Sequence, residues 1–318
     1  MKALRICVLG GTGFVGSHLV FRLANLGHSV IVATRRPARH RELRLAQHVR
    51  LVETNPYEHG QLTALLRDAD CVINLVGILN ETGNSRFQTA HVELPGAVVK
   101  AMRETGVTRL LHMSALNANV NETHSRYLKT KGAGEDLVHQ TAGIDTTSFR
   151  PSVIFGPGDS FFNRFASLLA LTPLAFPLAC ADARFAPVYV GNVVDAFVRA
   201  LEDRNTIGQR LDLCGPKDYT LGELVRYTAR ITGRDTLVIG LPDLLSRLQA
   251  MALGLLPGKP FSLDNYYSLK IDSLCRDNAL PALHIEPRSL ESVVPTYLGD
   301  ASMRARYFQF RATARRNE

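Results

Sequence analysis

A four-residue apolar run, Ile6-Cys7-Val8-Leu9, gives way to glycines at 10, 11, 13 and 16 and then to Val15, Leu19 and Leu23 at helical spacing. That order reads as strand, tight turn and helix, and it constrains the fold more than any other stretch of the chain. Glycine serves such a turn by admitting positive φ and by letting an anion and the neighbouring strand approach bare backbone. The helix that follows directs its unpaired amides and partial positive charge at the same point. Gly10, Gly11, Thr12, Gly13, Phe14, Val15 and Gly16 are therefore expected to cradle the pyrophosphate of a dinucleotide.

Downstream, apolar runs alternate with helical patterns. Strands are predicted at Val30–Thr34, Val49–Val52, Cys71–Gly77 with its loop, Arg109–Met113 and Thr146–Phe155, and helices through Leu62–Leu66 and Val92–Met102. Continuously apolar strands separated by helices specify a Rossmann-type, doubly wound α/β fold: a parallel sheet covered on both faces. Ligands of such sheets bind at the carboxyl ends of the strands, so Gly13, Arg35, Gly77 and Ser114 should converge. Residues 1–155 are read as the nucleotide-binding domain, completed by segments near 186–215, and residues 156–318 mostly as a smaller substrate or interaction lobe.

The second strand ends in Thr34-Arg35-Arg36, with no acid before Glu42. An acidic side chain there would favour the adenosine hydroxyls of NAD(H). Arg35 and Arg36 instead suit the extra phosphate of NADP(H), which is preferred, with NAD(H) the other candidate and a solvated basic face the alternative for Arg39, Arg41 and Arg44. Tyr127 and Lys131 stand four apart at the start of a predicted helix, with Lys131, Glu135 and His139 on its exposed side. On one helix face an ammonium is expected to lower the phenol's pKa for proton exchange. The same spacing recurs at Tyr266 and Lys270, where no strand-end serine precedes it.

The net charge of +8 favours anionic partners, namely a phosphorylated cofactor or an anionic lipid. No helix-turn-helix, zinc-finger or RNA-binding signature accompanies it, which argues against nucleic acid. Five cysteines, at 7, 71, 180, 214 and 275, form no Cys-x-x-Cys pair. Reduced thiols in a cytoplasmic compartment, without disulfide or metal site, are expected. Met1 to Arg5 leads directly into the first strand, so no leader is read, and the uncharged run Phe165–Ala181 is interrupted by Pro173 and Pro177, against a membrane span.

Further on, Gly156-Pro157-Gly158 is expected to turn the chain out of the sheet. The apolar stretch from Asp159 to Ala181 is expected in the smaller lobe, where it either packs the core or lines an apolar substrate pocket. Arg210–Leu213 reads as a strand, Val188–Ala196 as a strand-to-helix junction, and Thr220-x-x-Glu223 as a capping box. Leu241–Leu256 is strongly apolar, with only Asp243 and Arg247 charged, and suits either a lobe-packing helix or a membrane surface. The end mixes arginine with aromatic residues from Arg304 to Arg316, fit for anionic lipid or an acidic partner.

Gly10-Gly-Thr-Gly13-Phe-Val-Gly16, Ser114, Tyr127-x-x-x-Lys131 and Arg150-Pro-Ser-Val-Ile-Phe-Gly-Pro157 together resemble the extended short-chain dehydrogenase/reductases. Asn74-Leu-Val-Gly77, His112-Met-Ser-Ala-Leu116, Ser125–Lys131 and Phe161–Phe165 resemble the atypical branch that includes the nucleotide-binding accessory subunit of respiratory complex I. The resemblance implies Tyr127 as acid or base, Lys131 at the nicotinamide ribose, Ser114 on a substrate oxygen, and Val76, Gly77 and Pro151 beside the cofactor. It implies hydride transfer with a carbonyl or alcohol of a small, apolar substrate. Alternatives are a non-catalytic NADPH-holding protein peripheral to a membrane respiratory complex at the inner face of the membrane, and a nucleotide-sugar epimerase or dehydratase. Two positions depart from the family pattern: His91 stands where active members carry asparagine, and Thr54-Asn55 replaces an adenine-contacting aspartate, with Asn55 in reach of the adenine.

Overall fold

The computed structural model describes residues 3–83, 85–172, 174–256 and 260–299; the arginine-rich end from Arg304 lies outside them. The opening strand β1 (Arg5–Leu9) lies inside a seven-stranded sheet with β2 (Ser29–Thr34), β3 (Val49–Glu53), β4 (Cys71–Asn74), β5 (Arg109–Met113) and β6 (Asp145–Pro151). Strand β7 (Ile154–Phe155) follows, then β8 (Ala175–Leu178), β9 (Arg184–Phe185), β10 (Val188–Tyr189), β11 (Arg210–Leu213), β12 (Tyr219–Thr220) and β13 (Leu237–Gly240). The large sheet runs β11-β6-β5-β4-β1-β2-β3, and all its pairings are parallel.

Alternation along β1 explains the layers. Ile6 and Val8 face helices α1 (Phe14–Asn25) and α6 (Val190–Glu202), in one core with Leu19, Leu23, Val193 and Phe197. Cys7 and Leu9 face the other side, where α2 (His59–Leu66), α3 (Leu94–Thr105) and α4 (Arg126–Gln140) contribute Leu62, Val98 and Val138. Burial on both faces is what a continuously apolar parallel strand requires.

The expected helix through Val92–Met102 starts earlier, with a π-type turn over Thr89–Glu93 that leads into α3. The expected strand Thr146–Phe155 breaks after Pro151, and Ile154–Phe155 pairs with β10 instead of extending the large sheet. It is β11 that returns to the large sheet, beside β6. After Phe155 the chain forms α5 (Phe161–Leu171), α7 (Leu221–Ile231), α8 (Asp243–Gly254) and α9 (Leu263–Leu269) around Leu169, Leu178, Leu221 and Val225. The Thr220 and Glu223 capping box forms at the start of α7.

The expectation of reduced thiols without a disulfide is corrected. Cys214, just past β11, is disulfide-bonded to Cys275 across 61 residues, while Cys7, Cys71 and Cys180 are free. Spacing concealed the pair because the chain between them folds elsewhere and returns. Among the described residues, no cluster of His, Cys, Asp and Glu is arranged to hold a metal, and no helix is long and apolar enough to cross a membrane.

Candidate functional site

The glycine turn places its bare backbone where the sequence anticipated. Gly10 takes φ +78°, and a Cβ there would stand 3.0 Å from Leu75 and Val76 backbone atoms beyond β4. The Gly13 amide donates to the Gly10 carbonyl at 3.0 Å, and Gly13 caps α1 without a side-chain partner. A Cβ on Gly16 would lie 2.2 Å from the Gly10 oxygen, so the helix can meet the turn only without a side chain. Thr12, Phe14 and Val15 are half-buried around this opening, and Gly11 is buried against Val32. With no acid in its first turn, α1 presents a positive end to the turn. Bare backbone and an open helix end suit a pyrophosphate.

Arg35 and Arg36 follow β2 and are exposed, and neither forms an ion pair among the described residues. Asn55 lies beyond β3, its side chain held in a turn by the Tyr57 amide at 3.3 Å and by Glu58 at 3.1 Å. Its backbone amide donates to Gln61.

From the turn a continuous set of contacts leads across the strand ends. The Val76 amide donates to the Asn74 side chain at 3.1 Å, and a Cβ on neighbouring Gly77 would stand 3.2 Å from Lys131 Nζ. That ammonium donates to the Met113 carbonyl at 2.9 Å. The next residue, Ser114, is 3% exposed, and its Oγ has no hydrogen-bond partner. A buried hydroxyl without a partner is costly, and a polar ligand atom placed here would relieve that cost. Pro151 accepts the Leu116 amide and closes the same edge. Gly10, Val76, Gly77, Lys131 and Ser114 are thus brought together.

Tyr127 opens α4, half-buried, with its ring edge-on to His91 at 5.5 Å and Phe87 at 6.0 Å. Two expectations about this helix are corrected. Lys131, Glu135 and His139 do not lie on an exposed side: Lys131 and Glu135 are buried against the sheet, where Glu135 takes a bidentate bond from Arg150, and half-buried His139 meets Ser148 Oγ. Nor is the phenol's pKa lowered. Burial, with the charge of Asp264 added, pushes Tyr127 up to about 12. Burial also pushes Lys131 down to about 8, partly opposed by Glu135.

Asp264, on α9, escaped the sequence reading. Its carboxylate accepts from the amides of Arg126 at 2.6 Å and Tyr127 at 3.2 Å, while Ser125 Oγ caps α4 from within at Leu128. No local pattern joins positions 127 and 264. His91 is buried with both ring nitrogens engaged: Nε2 accepts the Ile78 amide at 3.1 Å, and Nδ1 meets Thr130 Oγ1 at 3.0 Å. Burial first, then the Lys131 charge, pushes it down to about 2, so the ring stays neutral. Gly134, one turn past Lys131, packs directly on this segment: a Cβ there would stand 1.7 Å from the His91 carbonyl oxygen. The second tyrosine and lysine pair belongs elsewhere, with Tyr266 and Lys270 both bonded to Asp243 of α8.

A model of the NAD dependent epimerase/dehydratase family matches residues 6–222. The mouse mitochondrial protein named NADH dehydrogenase (ubiquinone) 1 alpha subcomplex subunit 9 is 31% identical over 306 residues, covering 89% of this chain and 77% of its own. Ceramide reductase of Caulobacter vibrioides is 28% identical over 240 residues, covering 75% and 74%. Among solved structures, UDP-glucuronic acid 4-epimerase of Bacillus cereus, in complex with UDP-glucuronic acid and NAD, superposes with a TM-score of 0.65 at 19% identity, covering 89% and 98%. An epimerase of Methanothermobacter thermautotrophicus reaches 0.70 at 17% identity, covering 99% and 95%. At these identities the two structures are alike in fold.

Proposed function

The chain belongs to the NAD dependent epimerase/dehydratase family, the extended short-chain dehydrogenase/reductases, and from that premise we propose that it is an NADP(H)-dependent reductase of a carbonyl on a small, apolar substrate. The observation that carries this reading is the buried, unpartnered Ser114 Oγ, one residue past the Met113 carbonyl that takes the Lys131 ammonium. In this reading residues 1–155, with the 186–215 segments, hold the nucleotide, and the remainder forms the lobe that receives the substrate.

The glycine turn from Gly10 to Gly16 and the α1 N-terminus bind the pyrophosphate, Arg35 and Arg36 grip the adenosine phosphate, and Asn55 borders the adenine. Val76, Gly77, Lys131 and Pro151 border the nicotinamide half. When bound, the nucleotide supplies the hydride. Ser114 Oγ donates to the substrate oxygen and orients it. Tyr127 gives that oxygen its proton as negative charge develops. A phenol held near pKa 12 remains protonated at neutral pH, the form that can give up this proton. Lys131 supports the phenol's neighbourhood as a cation, and neutral His91 fixes the Ile78 loop without taking part in proton transfer.

A second reading is favoured by a different observation: several relatives near 30% identity carry names of respiratory complex I subunits. In it the same residues hold NADPH without turnover, and the protein associates peripherally with a membrane respiratory complex. One experiment separates the two. Nucleotide that copurifies with the protein is identified by mass spectrometry, and its oxidation by a panel of apolar aldehydes and ketones is followed at the reduced-nicotinamide absorbance. Oxidation that disappears in Tyr127→Phe supports the reductase. Nucleotide that stays reduced and unexchanged, with capture of the protein by detergent-extracted respiratory membranes, supports the second reading.

A further inference from the structure

Helix α8 is built inside out. Leu244, Leu248, Met251 and Leu255 fall on one face at helical spacing, and all four are exposed, Leu244 at 70% and Leu248 at 50%. The opposite face, which packs on the protein, carries Ser246 and Ala250, and neighbouring Gln249 bonds the backbone at Pro177 and Ala179. An ordinary surface helix directs its apolar stripe inward.

The adjoining two-stranded sheet repeats the inversion. Leu237 and Ile239 of β13 stand in register with Ala175 and Pro177 of β8, and all four outward positions are apolar and exposed. The alternate residues Val238 and Leu178 are buried in the core beneath. Leu174, 86% exposed, leads into β8, and its carbonyl accepts the Leu237 amide. A sheet with one solvated face normally shows water polar side chains. Exposed apolar faces on two elements joined through Gln249 mark a contact surface.

The charges beside it decide the partner. Asp243, the acid of α8, is neutralised by Lys270 and Tyr266. Arg247 on α8 and Arg164 on α5, whose guanidinium donates to the Pro260 carbonyl near the end of α8, are local cations without an ion pair among the described residues. The chain as a whole carries +8. The exposed face is wholly aliphatic, whereas the cores of protein interfaces are enriched in aromatic residues. Aliphatic side chains flanked by cations match the acyl and headgroup layers of a membrane surface.

We propose that the face formed by α8 and the β8–β13 pair seats the protein on an anionic phospholipid bilayer, with α8 lying in the plane of the interface. Leu244, Leu248, Met251 and Leu255 enter the acyl layer, and Arg247 and Arg164 meet the headgroup phosphates. This seating does not depend on turnover at Tyr127.

The test is flotation of the full-length protein with vesicles of phosphatidylcholine alone or mixed with phosphatidylglycerol. The wild type should float with the mixed vesicles and much less with the neutral ones. Leu244→Glu/Leu248→Glu should lose flotation by at least about tenfold, each leucine side chain being withdrawn from the acyl layer. Arg247→Glu should lose the preference for phosphatidylglycerol. Equal urea-unfolding midpoints establish that the variants fold. A wild type that stays at the bottom with both vesicles overturns the proposal, and so does a double variant that floats like the wild type. Wild-type dimers that the double variant dissolves, without flotation, would assign the face to a second copy of the chain and overturn it equally.

Discussion

The carboxylate of Asp264 accepts a hydrogen bond from the backbone amide of Tyr127 at 3.2 Å, so a residue near the end of the chain caps the helix that carries the phenol. The same carboxylate, with burial the larger cause, holds Tyr127 at about 12. Replacing Asp264 by Asn removes a negative neighbour, which eases ionisation of the phenol. The Tyr127 pKa should therefore fall. The check is the tyrosinate absorbance of Asp264→Asn minus that of the same protein carrying Tyr127→Phe, titrated against pH. An unmoved pKa would leave burial as the whole cause.

Lys131 supplies the second pH dependence. Its folded pKa near 8 lies below the ordinary lysine value of 10.5, so a charged Lys131 costs the folded state more than the unfolded one. The sign follows from proton linkage: this cost is present in full below about pH 8 and fades as pH rises from there towards the unfolded value, so its contribution to stability increases with pH. Affinity for a reduced nicotinamide nucleotide should change in the opposite sense, weakening as the ammonium is lost. Calorimetric titrations across this range, beside Lys131→Met as a variant with no such inflection, measure it. In the reductase reading Lys131→Met should also lower turnover by about 100-fold or more.

In the proposed reading Arg35 and Arg36, exposed after β2, carry the preference for the phosphorylated nucleotide. Arg35→Ala/Arg36→Ala should weaken NADPH binding by at least about tenfold, the scale of one charge-assisted hydrogen bond, and leave NADH binding unchanged. Isothermal titration with both nucleotides decides it. Equal losses for the two would move the arginines away from the adenosine phosphate.

Gly16→Ala places a methyl group 2.2 Å from the Gly10 carbonyl oxygen. The helix must retreat from the turn, at a cost of about 1–3 kcal/mol for overpacking. A lower urea midpoint together with lost nucleotide binding is expected. Retained affinity would show that the turn tolerates a wider gap than its geometry indicates.

The Cys214–Cys275 bridge closes a loop of 61 residues, for which chain entropy gives about 4 kcal/mol of stabilisation. Cys275→Ser should lower the thermal midpoint by several degrees. Reductant should produce the same shift in the wild type and none in the variant.

The parallel sheet and its glycine turn were legible because their signals are local. Ile6 to Leu9 announces a strand buried on both sides, the glycines demand close backbone approach, and Arg35 and Arg36 follow directly on a strand end. What escaped was whatever depends on distant residues. The spacing of Tyr127, Lys131 and Glu135 shows that they share a face of a helix, but the sheet and Arg150 decide that Lys131 and Glu135 are covered. Asp264 and the partner of Cys214 are brought in by chain that first crosses the C-terminal elements. For α8, periodicity revealed a stripe of leucines and left open both destinations; the packing of Ser246 and Ala250 turns that stripe outward.

The contact of Gly134 with the His91 carbonyl makes two helical segments meet main chain to main chain. No side chain lies between them to relax, so the spacing of the His91 and Lys131 backbones is set by main-chain contact. Any side chain introduced at 134 would prise apart the frame on which Lys131 and His91 are mounted.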